Sequence, residues 1–375
     1  MTTAAPSAQL DKQGQSGSGT SWLSKVLAVN PQGPNWAAGV MLLDVLLVVL
    51  IVSLAVGEGN YFLSAVVGVL FIAVADPGGA YGHRASHNAV FALIGALVTA
   101  LAFALGGSGW GWLVLAAFAI TLVAGLAIRL GVHSFAAASF LSLWFIIALG
   151  QAVSLHQTHI SSHTWAQVVA WVAGSGFWIA VTIGVWAVRG GRDMPTPVAE
   201  LPADTARRKL SRPLILFAGI RAVALGGAVA IAFGFNLSHA DWLPIAALVA
   251  MKPDLAQSTV AATQRVVGAS IGAIVAGLLL LVPTAEHGLR LITVSRGLEI
   301  VAIVLIMHAI AVLFWNYAVY SATIAAAILI LVDLFQPTDY SAEWDRVLWT
   351  LIGVAIGVAV MLLADQLAKR AKSRA

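Results

Sequence analysis

The sequence predicts an all-α integral membrane protein, with about twelve transmembrane helices arranged as two parallel six-helix repeats. Three observations lead there. The 375 residues are 60% hydrophobic and only 10% charged, against about 45–50% and about 25% in soluble domains. Apolar segments recur near the ~20 residues that a helix needs to cross a bilayer. Short motifs of the first half return in the second at a near-constant spacing. Most of the apolar runs are too long for barrel strands and lack their alternation. In lipid each run must therefore be a helix, which satisfies its own backbone groups. The chain has no cysteine, so disulfides and cysteine metal sites are excluded.

Residues 1–33 are polar and rich in Ser, Gly and Gln. They hold no apolar core of a cleavable signal peptide and read as a disordered tail. The first membrane repeat, 34–188, carries apolar segments at 36–56, 61–75, 89–106, 110–128, 132–151 and 165–188. A linker rich in Arg, Pro and acidic residues follows at 189–213. The second repeat, 214–366, carries segments at 214–234, 241–252, 256–282, 297–314, 317–334 and 346–364, before a basic tail at 367–375.

Charge placement sets the expected orientation. With both termini in the cytoplasm, sixteen of the twenty Lys and Arg residues lie on the inner side. The outer segment "DLFQPTDYSAEWDR" is acidic instead. The positive-inside rule then predicts a multi-pass protein of the cell inner membrane with cytoplasmic termini and linker.

The repeat rests on several matches. "WAQVVAWVAG" from Trp165 and "WDRVLWTLIG" from Trp344 place Trp, Val and Gly at the same offsets, so Gly174 matches Gly353 at a shift of 179. Pro34 and Pro213 share that shift, and Pro77 and Pro253 stand 176 apart. The second segment of each half is short. Fifteen residues precede Asp76-Pro77, and ten precede Lys252-Pro253, with Pro244 inside them. Short, Pro-broken segments at matching places in two repeats point to a transporter's substrate site. Two readings stay open here, a substrate-facing break or an ordinary turn ended by proline.

At these residues the sequence resembles the fusaric acid resistance and aromatic acid exporter family. "HADWLPIAALVAMKPDLAQSTVAATQRVVGASIG" supplies Trp242, Pro253, Asp254, Ser258, Arg265, Gly268 and Gly272. "RVLWTLIG" adds Arg346, Thr350 and Gly353, and "DPGGAYGHR" adds Asp76, Pro77, Gly78, Gly79 and Arg84. Ser258 stands where the family usually has threonine, and the linker replaces a larger soluble domain. The resemblance implies export of small, often aromatic, carboxylic acids, and its relatives include anion channels. It marks Asp76, Arg84, Lys252, Asp254 and Arg265 as substrate-site candidates. Pro77, Pro253, Gly268, Gly272, Arg346 and Gly353 are its structural positions.

Two charges lie within spans. Asp44 in "VMLLDVLLVVL" and Arg221 in "LFAGIRAVALGG" follow Pro34 and Pro213 by ten and eight residues, so the repeat puts them at similar depth. A lone charge there costs at least about 2.5–3.5 kcal/mol and must face a partner or a cavity. Either the two form an ion pair between the halves, or Arg221 binds a substrate carboxylate while Asp44 carries a proton. An Arg fork fits a carboxylate better than lysine does. His308 in "IVLIMHAIAVL" is a second proton-coupling candidate, against a hydrogen-bonded packing role. His156, His159 and His163 would share a face if their loop were helical, as a zinc site or as a solvated loop. Gly268/Gly272 and Gly353/Gly357 match the G-x-x-x-G helix-contact pattern, within or between subunits of a homo-oligomer. Tyr317 and Tyr320 belong to an interfacial belt or to an aromatic binding surface.

The glycine-rich "GGSGWGW" lacks the lysine of a phosphate loop, so ATP use has no support. No nucleophile or metal-hydrolase motif is present. Asp339, Glu343 and Asp345 cluster without a partner motif, which leaves an enzyme of lipid-linked substrates as the weakest reading. The expected partners are a small organic anion and the lipid bilayer, with no nucleic acid and no cofactor. The expected function is efflux of that anion, an aromatic carboxylic acid, coupled to inward proton flow, with a passive anion pore as the alternative.

Overall fold

The computed structural model describes residues 29–31, 33–57, 59–77, 80–157, 159–190, 211–237, 241–251, 255–284, 289–313, 315–333 and 341–372. Among them are twelve α-helices and no strand. The first six are α1 (Trp36–Val56), α2 (Phe62–Ala75), α3 (Tyr81–Leu105), α4 (Trp110–Leu126), α5 (Val132–Gln157) and α6 (Thr164–Val188). The next six are α7 (Arg212–Gly234), α8 (Trp242–Ala250), α9 (Leu255–Thr284), α10 (Leu289–Val312), α11 (Tyr317–Asp333) and α12 (Ser341–Lys372). Eight helical segments in the described residues are long and apolar enough to cross a membrane. The expected tail at 1–28, most of the linker and the Lys252-Pro253-Asp254 break lie outside the described residues.

Local chemistry sets the helix ends. Asn35 caps α1 by accepting the Ala38 amide at 3.2 Å, and Gly57 closes it at φ 77°, a left-handed conformation that glycine adopts without steric cost. Asp76 leaves α2 in an extended conformation ahead of Pro77, which has no amide hydrogen to continue the ladder. Three helix starts differ from the sequence expectation by five residues or more. Helix α3 starts at Tyr81 instead of 89, α10 at Leu289 instead of 297, and α12 at Ser341 instead of 346. These first turns are polar, so they fall below a hydropathy threshold while remaining helical.

The two short helices occupy the interior. At ~1.5 Å per residue, the nine residues of α8 reach about 14 Å, half of a ~30 Å hydrocarbon core. Every α8 residue except Val249 is buried, and so is most of α2. Protein surrounds them where lipid would demand a full span. Helix α2 packs on α6, and α8 packs on α12. Glycines make both contacts close. A side chain on Gly174 or Gly353 would run into the backbone of Ala65 or Leu243.

The helix pairing has a further regularity. Helices α3 and α6 pack together, as do α9 and α12, and α3–α5 corresponds likewise to α9–α11. The first helix of each group of six crosses to the other group, α1 onto α10 and α7 onto α4. Gly39 meets Ala311 in one of these crossings, and Gly125 meets Ala218 in the other. Gly268 and Gly272 bring α9 onto α11 at Ser321 and Ala325, so these G-x-x-x-G pairs are helix contacts within one chain. Trp144 and Trp171 stack at 5.2 Å in the core of the first six helices. Their indole N–H groups donate to Thr99 Oγ1 and to the Ala92 carbonyl.

Candidate functional site

Arg221, in the middle of α7, is 3% exposed. One guanidinium nitrogen donates to Ser139 Oγ on α5 at 3.1 Å, and the guanidinium lies 5.0 Å over the Phe135 ring. Its Nε and Nη1 have no hydrogen-bond partner. A buried N–H without an acceptor forfeits about 1–3 kcal/mol, so the side chain is held with donors in reserve. Phe217 closes the aromatic wall beside Phe135.

The expected ion pair between Asp44 and Arg221 does not form. Asp44 is exposed on the outer apolar face of α1, between Val40 and Val48. The cause is the crossing of the first helices. Helix α1 packs on α10 and α7 on α4, so residues at equal depth on the two helices do not meet. Arg221 faces the junction between the first and second six helices, as its charge requires, and Asp44 does not.

Asp76 and Arg84 are joined instead. Arg84 Nε donates to Asp76 Oδ1 at 2.7 Å, and a second guanidinium nitrogen donates to Oδ2. This fork spans the break between α2 and α3, with the guanidinium 5.0 Å over the Tyr81 ring. Pro77 lies within that break. These two substrate-site candidates therefore satisfy each other in this conformation.

Arg265, in α9, is 7% exposed, and its Nε lacks a partner. Tyr317 and Tyr320 on α11 face its guanidinium, with their rings 5.5 Å apart. Arg265 thus repeats the chemistry around Arg221, a buried cation with a spare donor beside aromatic rings. Thr350 is buried in α12, near the helix's start, where Arg346 also lies. His308 Nδ1 lies 2.8 Å from the Val304 carbonyl one turn back, and its ring meets Trp36 edge to face. That geometry is the packing arrangement. His156, His159 and His163 do not share a helix face, because α5 ends at Gln157 and His159 turns at φ 55°.

One pair escaped the sequence reading. His87 on α3 and His133 on α5 approach with Nε2 atoms 3.1 Å apart. The four-residue spacing of His83 and His87 was a visible signal. The partner 46 positions away was not.

Residues 227–360 match a family model described as fusaric acid resistance protein-like. The match takes in α8 to α11, most of α12 and the Arg265 site, and leaves Arg221, Asp76 and Arg84 outside it. No curated protein and no solved structure matches the chain. The helices long and apolar enough to span a membrane support a multi-pass membrane protein, of which residues 227–360 are similar to the fusaric acid resistance protein-like family.

Proposed function

We propose that the chain exports a small organic anion carrying an aromatic ring. The observation behind this reading is Arg221, a buried cation with two unused N–H donors beside Phe135. A carboxylate accepts from either free nitrogen in a charge-assisted hydrogen bond, and an attached ring finds aromatic neighbours. Arg265 with Tyr317 and Tyr320 offers the same combination in the family-matched half. Lys252 and Asp254 flank Pro253 in the sequence and are kept as proposed substrate residues.

In this reading all twelve helices belong to the membrane domain as two parallel repeats around a pseudo-two-fold axis along the membrane normal. The corresponding pairs α2–α6 and α8–α12, and the two crossings, support that symmetry. Both termini and the linker are cytoplasmic, supported by the basic residues. The membrane potential drives an anion outward by about 2.3 kcal/mol per charge at 100 mV, and an inward proton adds to it. That same potential also serves a passive anion pore.

Proteoliposomes loaded with benzoate separate these outcomes. An exporter gives saturable counterflow of labelled benzoate, which Arg221→Gln abolishes at equal protein content. Unitary currents without counterflow establish a pore. The absence of any aromatic carboxylate movement in the wild type refutes the proposal.

A further inference from the structure

We infer that His87 and His133 form the site that binds and passes the coupled proton at the break between α2 and α3. This rests on the reading of the chain as an anion exporter. Their rings lie 4.9 Å apart between centroids, and the two Nε2 atoms are in hydrogen-bond contact at 3.1 Å. His133 is 4% exposed and also faces the backbone carbonyl of Ala75, the last residue of α2. A terminal helix carbonyl lacks an intrahelical donor, and an imidazole N–H can serve as one.

With His133 taken as the Nδ1–H tautomer, that N–H points toward the Ala75 carbonyl. Neutral His133 then presents a lone pair on Nε2, and His87 donates its Nε2–H to it. The lone pair left over is Nδ1 of His87, where an incoming proton enters. His87 becomes an imidazolium, and transfer of its Nε2–H to His133 moves the charge beside the end of α2. A second proton would set two N–H groups and two charges against each other. The pair therefore carries one proton at a time.

The surroundings tie that proton to the helix break. Asp76 at the end of α2 and His83 on α3 face the pair electrostatically. Arg84 on α3 holds Asp76 through its two-pronged bond. Helices α2, α4, α6 and α8, which pack on α3 or α5, have no acidic, basic or histidine side chain within their bounds. Arg129, on the turn before α5, is exposed, and Arg221 of α7 meets α5 at Phe135 and Ser139. A protonated pair thus places a new cation beside Asp76, the carboxylate that faces it among the described residues, and competes with Arg84 for it.

The test uses full-length protein in proteoliposomes, with benzoate as the probe. Wild type is expected to show counterflow, and its net benzoate movement should follow an imposed pH gradient. The His87→Gln/His133→Gln double variant is expected to keep counterflow and to lose at least ten-fold of the gradient-driven movement. Its counterflow should also lose the inflection between about pH 5 and 8 that histidine gives. His87→Gln alone keeps the buried His133 ring in place and is the variant to use if the double one does not fold. Gradient-driven movement at the wild-type rate in a folded variant overturns the inference. So does wild-type counterflow that ignores the gradient. A wild type without counterflow removes the exporter reading itself, and the inference with it.

Discussion

Replacing Arg221 should improve the fold while destroying its use. An arginine at the centre of a span costs about 2.5–3.5 kcal/mol on the insertion scale. The Phe135 face returns about 0.5–2 kcal/mol, and the bond to Ser139 about 1.5–3 kcal/mol. Against these stand the unpartnered Nε and Nη1, at about 1–3 kcal/mol each. Without an anion the site is a net cost of a few kcal/mol. Arg221→Met, which keeps the stem and removes the charge, should therefore stabilise the protein by about 1–4 kcal/mol, as other buried charges do when replaced by apolar residues. Benzoate affinity should fall by at least about 30-fold, because a buried charge pair that loses one partner costs about 2–5 kcal/mol. Thermal unfolding of purified protein in detergent, with and without benzoate, reads both effects. Wild type should gain stability from benzoate, and the variant should start higher and gain none. A less stable variant with unchanged benzoate response would refute the argument, since Arg221 would then be a structural residue.

Further predictions concern the break, the packing and the topology. Asp76→Asn should destabilise the protein by about 3–5 kcal/mol by leaving Arg84 buried and unpaired, and adding Arg84→Gln should recover most of it in the same unfolding assay. Transport lost in the stable double variant would give the pair a role beyond structure. Gly353→Ala should cost about 1–3 kcal/mol by overpacking, since the added carbon meets Ala246 Cβ at 2.9 Å and presses on the Leu243 carbonyl. Gly184→Ala, which meets open space, should be neutral or stabilising by up to about 1 kcal/mol. A cysteine at Ser211 should resist an impermeant maleimide applied to intact cells and react after lysis. Labelling from outside would invert the proposed orientation.

The class of the protein and most of its helices were readable along the chain. Hydropathy reports what lipid accepts, and each apolar run of sufficient length has no alternative to a helix. Pro77 also announced the end of the short second helix, because proline acts on its own backbone and needs no distant partner. Hydropathy failed where a helix start is polar. The first turns of α3 carry His83, Arg84, His87 and Asn88, and Asp76 and His133 supply partners that the local sequence cannot reveal.

The charge of Arg221 announced a buried cation. Its surroundings came from Ser139 and Phe135, 82 and 86 positions away. Asp44 has the same sequence character as Arg221, an isolated charge at similar depth, and ended on the outer face of α1. What separates them is the crossing of α1 onto α10 and of α7 onto α4. Periodicity along a chain determines which residues share a helix face. Which face meets protein and which is left outside depends on contacts between helices far apart in sequence, and only the tertiary structure decides those.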